Sequence, residues 1–248
     1  MSFCENIHPM ETAKNQIEIY LDSASTNEIF QYHSNPELAI DGFTTNPTLM
    51  RAAGVKSYLD FVYDVTSRIS DLPISFEVLV DDLSTMRDQA IRLDKVAKNV
   101  WVKIPVSNSK GESTAELVGE LNKEGVKVNV TAMFTKQQIE ENFSQVIAGQ
   151  EVIFSVFAGR ISDAGYNAQE LISDFTKITE SSKNVKVLWA STREAYNLIQ
   201  AVQSKCQIIT LTAPILQKTN LFGKDLKSYS LETVQMFLND ANASGYEF

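Results

Sequence analysis

Lys103 is embedded in the apolar run Val100-Trp101-Val102-Lys103-Ile104-Pro105-Val106. Burial at such a place penalises the charged ammonium. An amine attacks a carbonyl only when unprotonated, whereas an ordinary lysine, with a pKa of ~10.4, is almost wholly charged at neutral pH. The position therefore suits a Schiff-base nucleophile. Taken alone, it also suits a strand-end lysine whose stem packs while its head escapes to water. Other polar residues set in comparable runs weigh on the choice. Asp22 closes Ile17-Glu18-Ile19-Tyr20-Leu21, Glu77 follows Ile74-Ser75-Phe76, and Asn129 and Thr131 alternate with Val126, Val128 and Val130. An amine to form an imine, a carboxylate to move protons, and hydroxyl and amide groups to hold a polyol are what cleavage of a carbon–carbon bond near a ketone requires. The imine acts as the electron sink, and general acid–base help is needed at several steps. The competing reading is a buried ion-pair network without a catalytic role.

For these groups to meet, the fold must bring together residues from distant parts of the chain. Short apolar or alternating runs recur at 17–22, 39–43, 74–79, 100–106, 126–130, 152–157, 185–190 and 208–212. Helix-period stretches lie between them at 58–69, 84–97, 113–123, 136–147 and 168–179. Eight strand–helix units in 248 residues predict an α/β fold, a (β/α)8 TIM barrel, with the doubly wound open sheet as competitor. No Gly-x-Gly-x-x-Gly turn or phosphate loop supports the open sheet. No linker divides the chain, so residues 1–248 are read as a single barrel domain. Residues 1–16 form an N-terminal extension, and 229–248 a C-terminal helix and tail. Leu231, Val234, Phe237 and Leu238 mark the stripe of that helix, which leaves open whether it packs on its own barrel or in a homo-oligomer.

Parity within the strands sharpens the expectation. Ile17, Ile19 and Leu21 share one face and Glu18, Tyr20 and Asp22 the other, and the runs holding Glu77, Lys103 and Asn129 divide in the same way. In a barrel the branched apolar face meets the helices, so the polar sets point inward. Asp22, Glu77, Lys103, Asn129 and Thr131 come late in their strands, at the C-terminal mouth where such barrels place their chemistry.

Composition bounds the partners. The 31 acidic and 22 basic residues leave a net charge of −9, which disfavours nucleic acid and anionic membrane surfaces. No segment is apolar enough to span a bilayer, and Met1 to Gln16 carries no signal-peptide core. Cys4 and Cys206 suggest neither a disulfide framework nor zinc, so a reducing, cytoplasmic setting is expected. His8 and His33 are the only histidines and neither sits at a strand end, which argues against a metal-dependent aldolase.

Several segments together resemble the class I transaldolase family, which is related to the fructose-6-phosphate aldolases. They are Tyr20-Leu21-Asp22-Ser23-Ala24, Asp41-Gly42-Phe43-Thr44-Thr45-Asn46-Pro47-Thr48, Phe76-Glu77-Val78, Val102-Lys103-Ile104-Pro105 and Val128-Asn129-Val130-Thr131. Ser155-Val156-Phe157-Ala158-Gly159-Arg160-Ile161 and Ala190-Ser191-Thr192-Arg193 complete the set. The resemblance spans nearly the whole chain and rests on the order and spacing of these segments.

It implies that Lys103 forms the Schiff base, that Asp22 donates and accepts the proton at the sugar hydroxyl, and that Glu77 and Thr131 hold an assisting water. Asn46, Asn129 and Ser155 would hydrogen-bond the retained three-carbon piece, Arg160 and Arg193 would grip the phosphate, and Ser191 joins the substrate-binding set. Phe157 would border the Schiff base. No cofactor is implied. The implied substrates are sugar phosphates of the pentose phosphate pathway: fructose 6-phosphate, erythrose 4-phosphate or sedoheptulose 7-phosphate. Phe157 where the aldolases have Tyr, Glu77 where they tend to have Gln, and Arg193 where they tend to have Lys point to transfer of a dihydroxyacetone unit. The modest chain length points instead to the subgroup containing the aldolases. Val156 and Thr192 depart from the usual Pro and Phe. Aldolase-type release of free dihydroxyacetone, or a non-catalytic sugar-phosphate-binding barrel, are the alternatives.

Overall fold

The computed structural model describes residues 15–38 and 40–246. The alternating runs become β1 (Glu18–Asp22), β2 (Gly42–Thr44), β3 (Ile74–Glu77), β4 (Val100–Pro105), β5 (Val128–Met133), β6 (Val152–Val156), β7 (Val185–Trp189) and β8 (Ile208–Leu211). Each lies parallel to the next, and β8 pairs back onto β1, closing an eight-stranded barrel. Closure removes the open-sheet alternative. Cys4, His8 and most of the expected N-terminal extension lie outside the described residues, as does Ala39 at the start of the second run.

The connections are helical. α1 (Thr26–Ser34) follows β1, α2 (Pro47–Ala52) and α3 (Tyr58–Arg68) follow β2, and α4 (Leu83–Asp94), α5 (Ala115–Lys123) and α6 (Lys136–Gln145) follow β3, β4 and β5. α7 (Ala158–Asp163) and α8 (Ala168–Thr179) follow β6, α9 (Asn197–Gln203) and α10 (Ala213–Lys218) follow β7 and β8, and α11 (Leu226–Ser244) ends the described chain. Local chemistry sets these elements. In α3 the Ser57 hydroxyl accepts from Asp60 N at the first turn, while Phe61, Val62 and Val65 recur on one face and are buried. In α6, Thr135 and Gln138 form a reciprocal capping box.

Two apolar layers result. Ile19, Leu21, Val102, Ile104, Val128 and Val130 point outward and pack among helix residues such as Val62, Leu121 and Ile172. Inside the barrel, Tyr20, Trp101, Ile153, Leu188 and Ile208 form a separate buried cluster. The lumen is therefore not lined by polar groups alone: β6, β7 and β8 contribute apolar inward residues, which plug its middle. Gly42 makes room for this plug, because a Cβ there would lie 2.7 Å from the Tyr20 ring and 2.9 Å from Pro73.

The C-terminal helix begins at Leu226, three residues before the predicted boundary, because Asp225 accepts from Ser228 N and caps it. None of its residues is buried, and Leu231, Val234, Phe237 and Leu238 stay exposed rather than packing on the barrel. Among the described residues no helix is long and apolar enough to cross a membrane.

Candidate active site

At the C-terminal mouth, parallel register sets the polar side chains at related heights. Glu77 pairs with Lys103, Lys103 with Asn129, and Pro105 with Thr131, so these residues face one lumen from adjacent strands. Glu77, Lys103 and Thr131 border a cavity of about 410 Å³, lined also by Asp22 on their side and by Arg160, Ser191 and Arg193 on the other. Asn46, Ser155 and Phe157 also line it.

Lys103 is only 6% exposed. Its Nζ donates to the Thr45 carbonyl at 2.7 Å and lies 3.1 Å from Glu77 Oε2. Asp22 accepts from Thr44 Oγ1 at 2.8 Å and from Asn46 Nδ2 at 3.5 Å, and Thr44 Oγ1 also meets Thr210 Oγ1 at 2.6 Å. Burial pushes the Asp22 carboxyl above the usual aspartate range, against the opposing pull of the Lys103 charge and of its two hydrogen bonds. It therefore keeps its proton to a higher pH than a free aspartate and can serve as a proton donor.

Thr131 faces inward by the alternation of β5, in regular register with Pro105, and a β-bulge follows it. Register shifts between Val130 and Met133, with Ala132 in the left-handed region at φ 57°, so Met133 returns to the outer core instead of facing the lumen. No sequence signal marked that bulge. Among the described residues the buried Thr131 Oγ1 has no protein hydrogen-bond partner.

Asn46 takes two tasks. It is the N-cap of α2, accepting from Leu49 N at 2.9 Å with Pro47 in the first helical turn, while its amide reaches Asp22. Asn129 sits one layer below the cavity: its amide donates to Ser75 Oγ at 3.1 Å, and its oxygen accepts from Ser155 Oγ at 2.6 Å. Ser155 thus stands between Asn129 and the open space. Phe157 joins the inner plug and packs beside Phe134, with ring centroids 5.9 Å apart.

At the opposite rim, Gly159 is pressed against the strand β7 loop. A Cβ there would lie 1.7 Å from the Ser191 carbonyl oxygen, so only glycine allows the contact. Ser191 itself is left-handed at φ 62°. This junction sets Arg160 and Arg193 on one rim. The Arg160 guanidinium lies 5.8 Å from the Phe157 ring centroid, and no carboxylate pairs with it among the described residues.

Sequence reasoning missed Thr44 and Thr210, which tie Asp22 to β8, and Asp163, which holds Arg193. Inward parity with Ile208 was the available signal for Thr210, and helical i,i+3 spacing from Arg160 the signal for Asp163. His33 lies on the surface against Asp71, away from this cavity, and no group of histidine, cysteine or acidic residues suited to a metal occurs among the described residues.

Residues 19–247 match the family model described as Transaldolase/Fructose-6-phosphate aldolase. A protein named probable transaldolase from Dehalococcoides mccartyi is 32% identical over 204 residues, covering 82% of this chain and 89% of its own length. Another of that name from Methanococcus maripaludis is 31% identical over 228 residues, covering 92% and 98%. The fold also matches a solved tryptophan synthase A-subunit from the hyperthermophile Pyrococcus furiosus, with a TM-score of 0.55 over 90% of this chain and 98% of that one. At 11% identity, that likeness concerns the barrel alone. With a family match running from the first strand to the end of the C-terminal helix, the chain belongs to the transaldolase/fructose-6-phosphate aldolase family.

Proposed function

We propose that this protein is a class I transaldolase that moves a dihydroxyacetone unit from a ketose phosphate to an aldose phosphate through an imine on Lys103. The observation that carries this reading is the buried Lys103 Nζ, 3.1 Å from Glu77, at the floor of a cavity that Asp22 also lines and whose rim holds Arg160 and Arg193.

In this reading the Lys103 amine passes a proton to Glu77 and attacks the ketose carbonyl carbon. Water leaves, assisted by a molecule held between Glu77 and Thr131. The iminium draws the electrons of the bond between the third and fourth carbons. Asp22 takes the proton of the hydroxyl on the fourth carbon as that hydroxyl becomes the departing aldehyde. An enamine remains on Lys103, with its hydroxyls held by Asn46 and by Ser155, which Asn129 braces from below. It attacks the acceptor aldehyde, Asp22 returns the proton to the new alkoxide, and hydrolysis of the imine frees Lys103. Arg160 and Arg193 suit the phosphate of both donor and acceptor, since a guanidinium fork matches phosphate oxygens.

The test is borohydride reduction in the presence of fructose 6-phosphate, followed by peptide mass spectrometry. A dihydroxyacetone-sized adduct on Lys103 is expected. An adduct elsewhere, or none on folded protein across a panel of ketose phosphates, would refute the reading and favour a non-catalytic sugar-phosphate barrel. Adding an aldose phosphate should then accelerate donor consumption; a rate indifferent to acceptor, with free dihydroxyacetone accumulating, would assign the aldolase activity instead.

A further inference from the structure

Arg193 does not face the cavity as an unencumbered cation. Its Nε donates to both oxygens of Asp163 at 3.2 and 3.0 Å, and Nη2 donates to Asp163 Oδ2 at 2.5 Å. Nη1 donates to the Ser191 carbonyl at 3.0 Å and to its hydroxyl at 3.1 Å. A guanidinium has five N–H donors. Asp163 takes the edge formed by Nε and Nη2, and Ser191 holds Nη1. This leaves the second Nη2 hydrogen, together with the Nη1 donor on the rotatable Ser191 hydroxyl, to meet a ligand.

The pair is solvent-facing, with side chains 45% and 55% exposed, and exposed ion pairs contribute little to folding. Its effect is orientation. The support beneath it is closely packed: Asp163 ends α7, whose Gly159 backbone lies against the Ser191 carbonyl that also accepts from Arg193. That glycine contact brings the backbone of α7, which carries Asp163, close to the loop that carries Arg193. Arg160, on the same helix, forms no direct ion pair among the described residues, although the Asp163 charge reaches it. The two arginines of the rim thus differ: Arg193 is held by direct hydrogen bonds to Asp163, whereas Arg160 feels the same carboxylate only through space.

We propose that Asp163 is a positioning residue for phosphate recognition, holding Arg193 by one edge so that its other edge is pre-set for the phosphate of a sugar-phosphate substrate. This rests on the phosphate role assigned above to Arg160 and Arg193. A long arginine side chain left free must be ordered each time a ligand binds, and the fork removes that cost beforehand.

The experiment is a calorimetric titration of inorganic phosphate into wild type, Asp163→Ala, Asp163→Asn and Arg160→Ala, alongside KM and kcat with fructose 6-phosphate and with unphosphorylated fructose. Asp163→Ala should weaken phosphate binding about 3- to 10-fold. The loss should appear in KM for the phosphorylated donor rather than in kcat, and not in KM for fructose. Asp163→Asn, which keeps one acceptor, should recover part of it. Tighter phosphate binding in either Asp163 variant would make the carboxylate a competitor of the ligand and overturn the proposal. Unchanged binding would make the pair ornamental, and equal losses with both sugars would make it merely structural; each also overturns it. If phosphate binds Arg160→Ala as well as wild type, the phosphate reading itself fails, and this proposal with it.

Discussion

One lumen holds two lysine–glutamate pairs, one near each end. At the mouth, Lys103 and Glu77 are 7% and 18% exposed; at the foot, Lys186 and Glu18 are 34% and 37% exposed. Their environments diverge further. The foot pair is covered from above by Tyr20, whose hydroxyl donates to Glu18 at 3.3 Å and whose own ionisation is pushed upward by burial and by that carboxylate. The plug of Tyr20, Trp101, Ile153, Leu188 and Ile208 lies between this pair and the mouth. The mouth pair opens instead onto the 410 Å³ cavity, with a second carboxylate, Asp22, coupled to the lysine charge. A lysine–glutamate pair in a barrel is thus no signature of function. What distinguishes the mouth is a desolvated amine that a ligand can reach, beside two carboxylates in different settings.

The sharpest way to break that contrast is to exchange the lysines' fates. Lys103→Ala should abolish turnover and the borohydride adduct, whereas Lys186→Ala should keep both; an adduct persisting in Lys103→Ala would erase the distinction. Next in size, Asp22→Asn should lower kcat by ~10²- to 10⁴-fold, the range for a lost acid–base group, while Glu18→Gln leaves kcat alone. An undiminished rate in Asp22→Asn would remove Asp22 from the chemistry. Phe157→Tyr, which places a hydroxyl beside the mouth, should raise release of free dihydroxyacetone relative to transfer. An unchanged product ratio would end that residue's claim on specificity.

The smallest effects are on stability. Because the folded-state pKa of Asp22 lies above its unfolded value, the stability linked to its proton is present below pH ~3.9 and lost as pH rises through the folded pKa. Asp22→Asn should therefore be more stable than wild type at pH 7 to 8, and the advantage should shrink toward pH 3 to 4. Each ~1 kcal/mol would raise Tm by ~2–4 °C in a chain of this size. A Tm difference independent of pH would contradict the burial argument. At the foot, Glu18→Gln should shift stability by no more than ~1 kcal/mol, as for other solvated pairs.

The strand–helix rhythm was legible because it depends on local periodicity. β4 spans Val100–Pro105 within the predicted run, and α8 coincides with the predicted 168–179. β5 ran longer than its alternation, to Met133, because the bulge at Ala132 broke the period after Thr131. The short helices α2 and α7 fall outside the helix-period stretches, since six residues are too few to display a 3.6-residue repeat.

Residue chemistry and alternation by themselves determined that the chain builds a barrel with an amine, carboxylates and amides late in its inward faces, because both signals are carried by neighbours along the backbone. Only the tertiary structure decided that the lumen is plugged below Lys103, that Asn129 lies beneath Ser155, that Thr44 links Asp22 to Thr210, and that Asp163 holds Arg193 across a glycine contact. Those relations join residues up to 166 positions apart, where side-chain volume and closing geometry, rather than local preference, determine which groups touch.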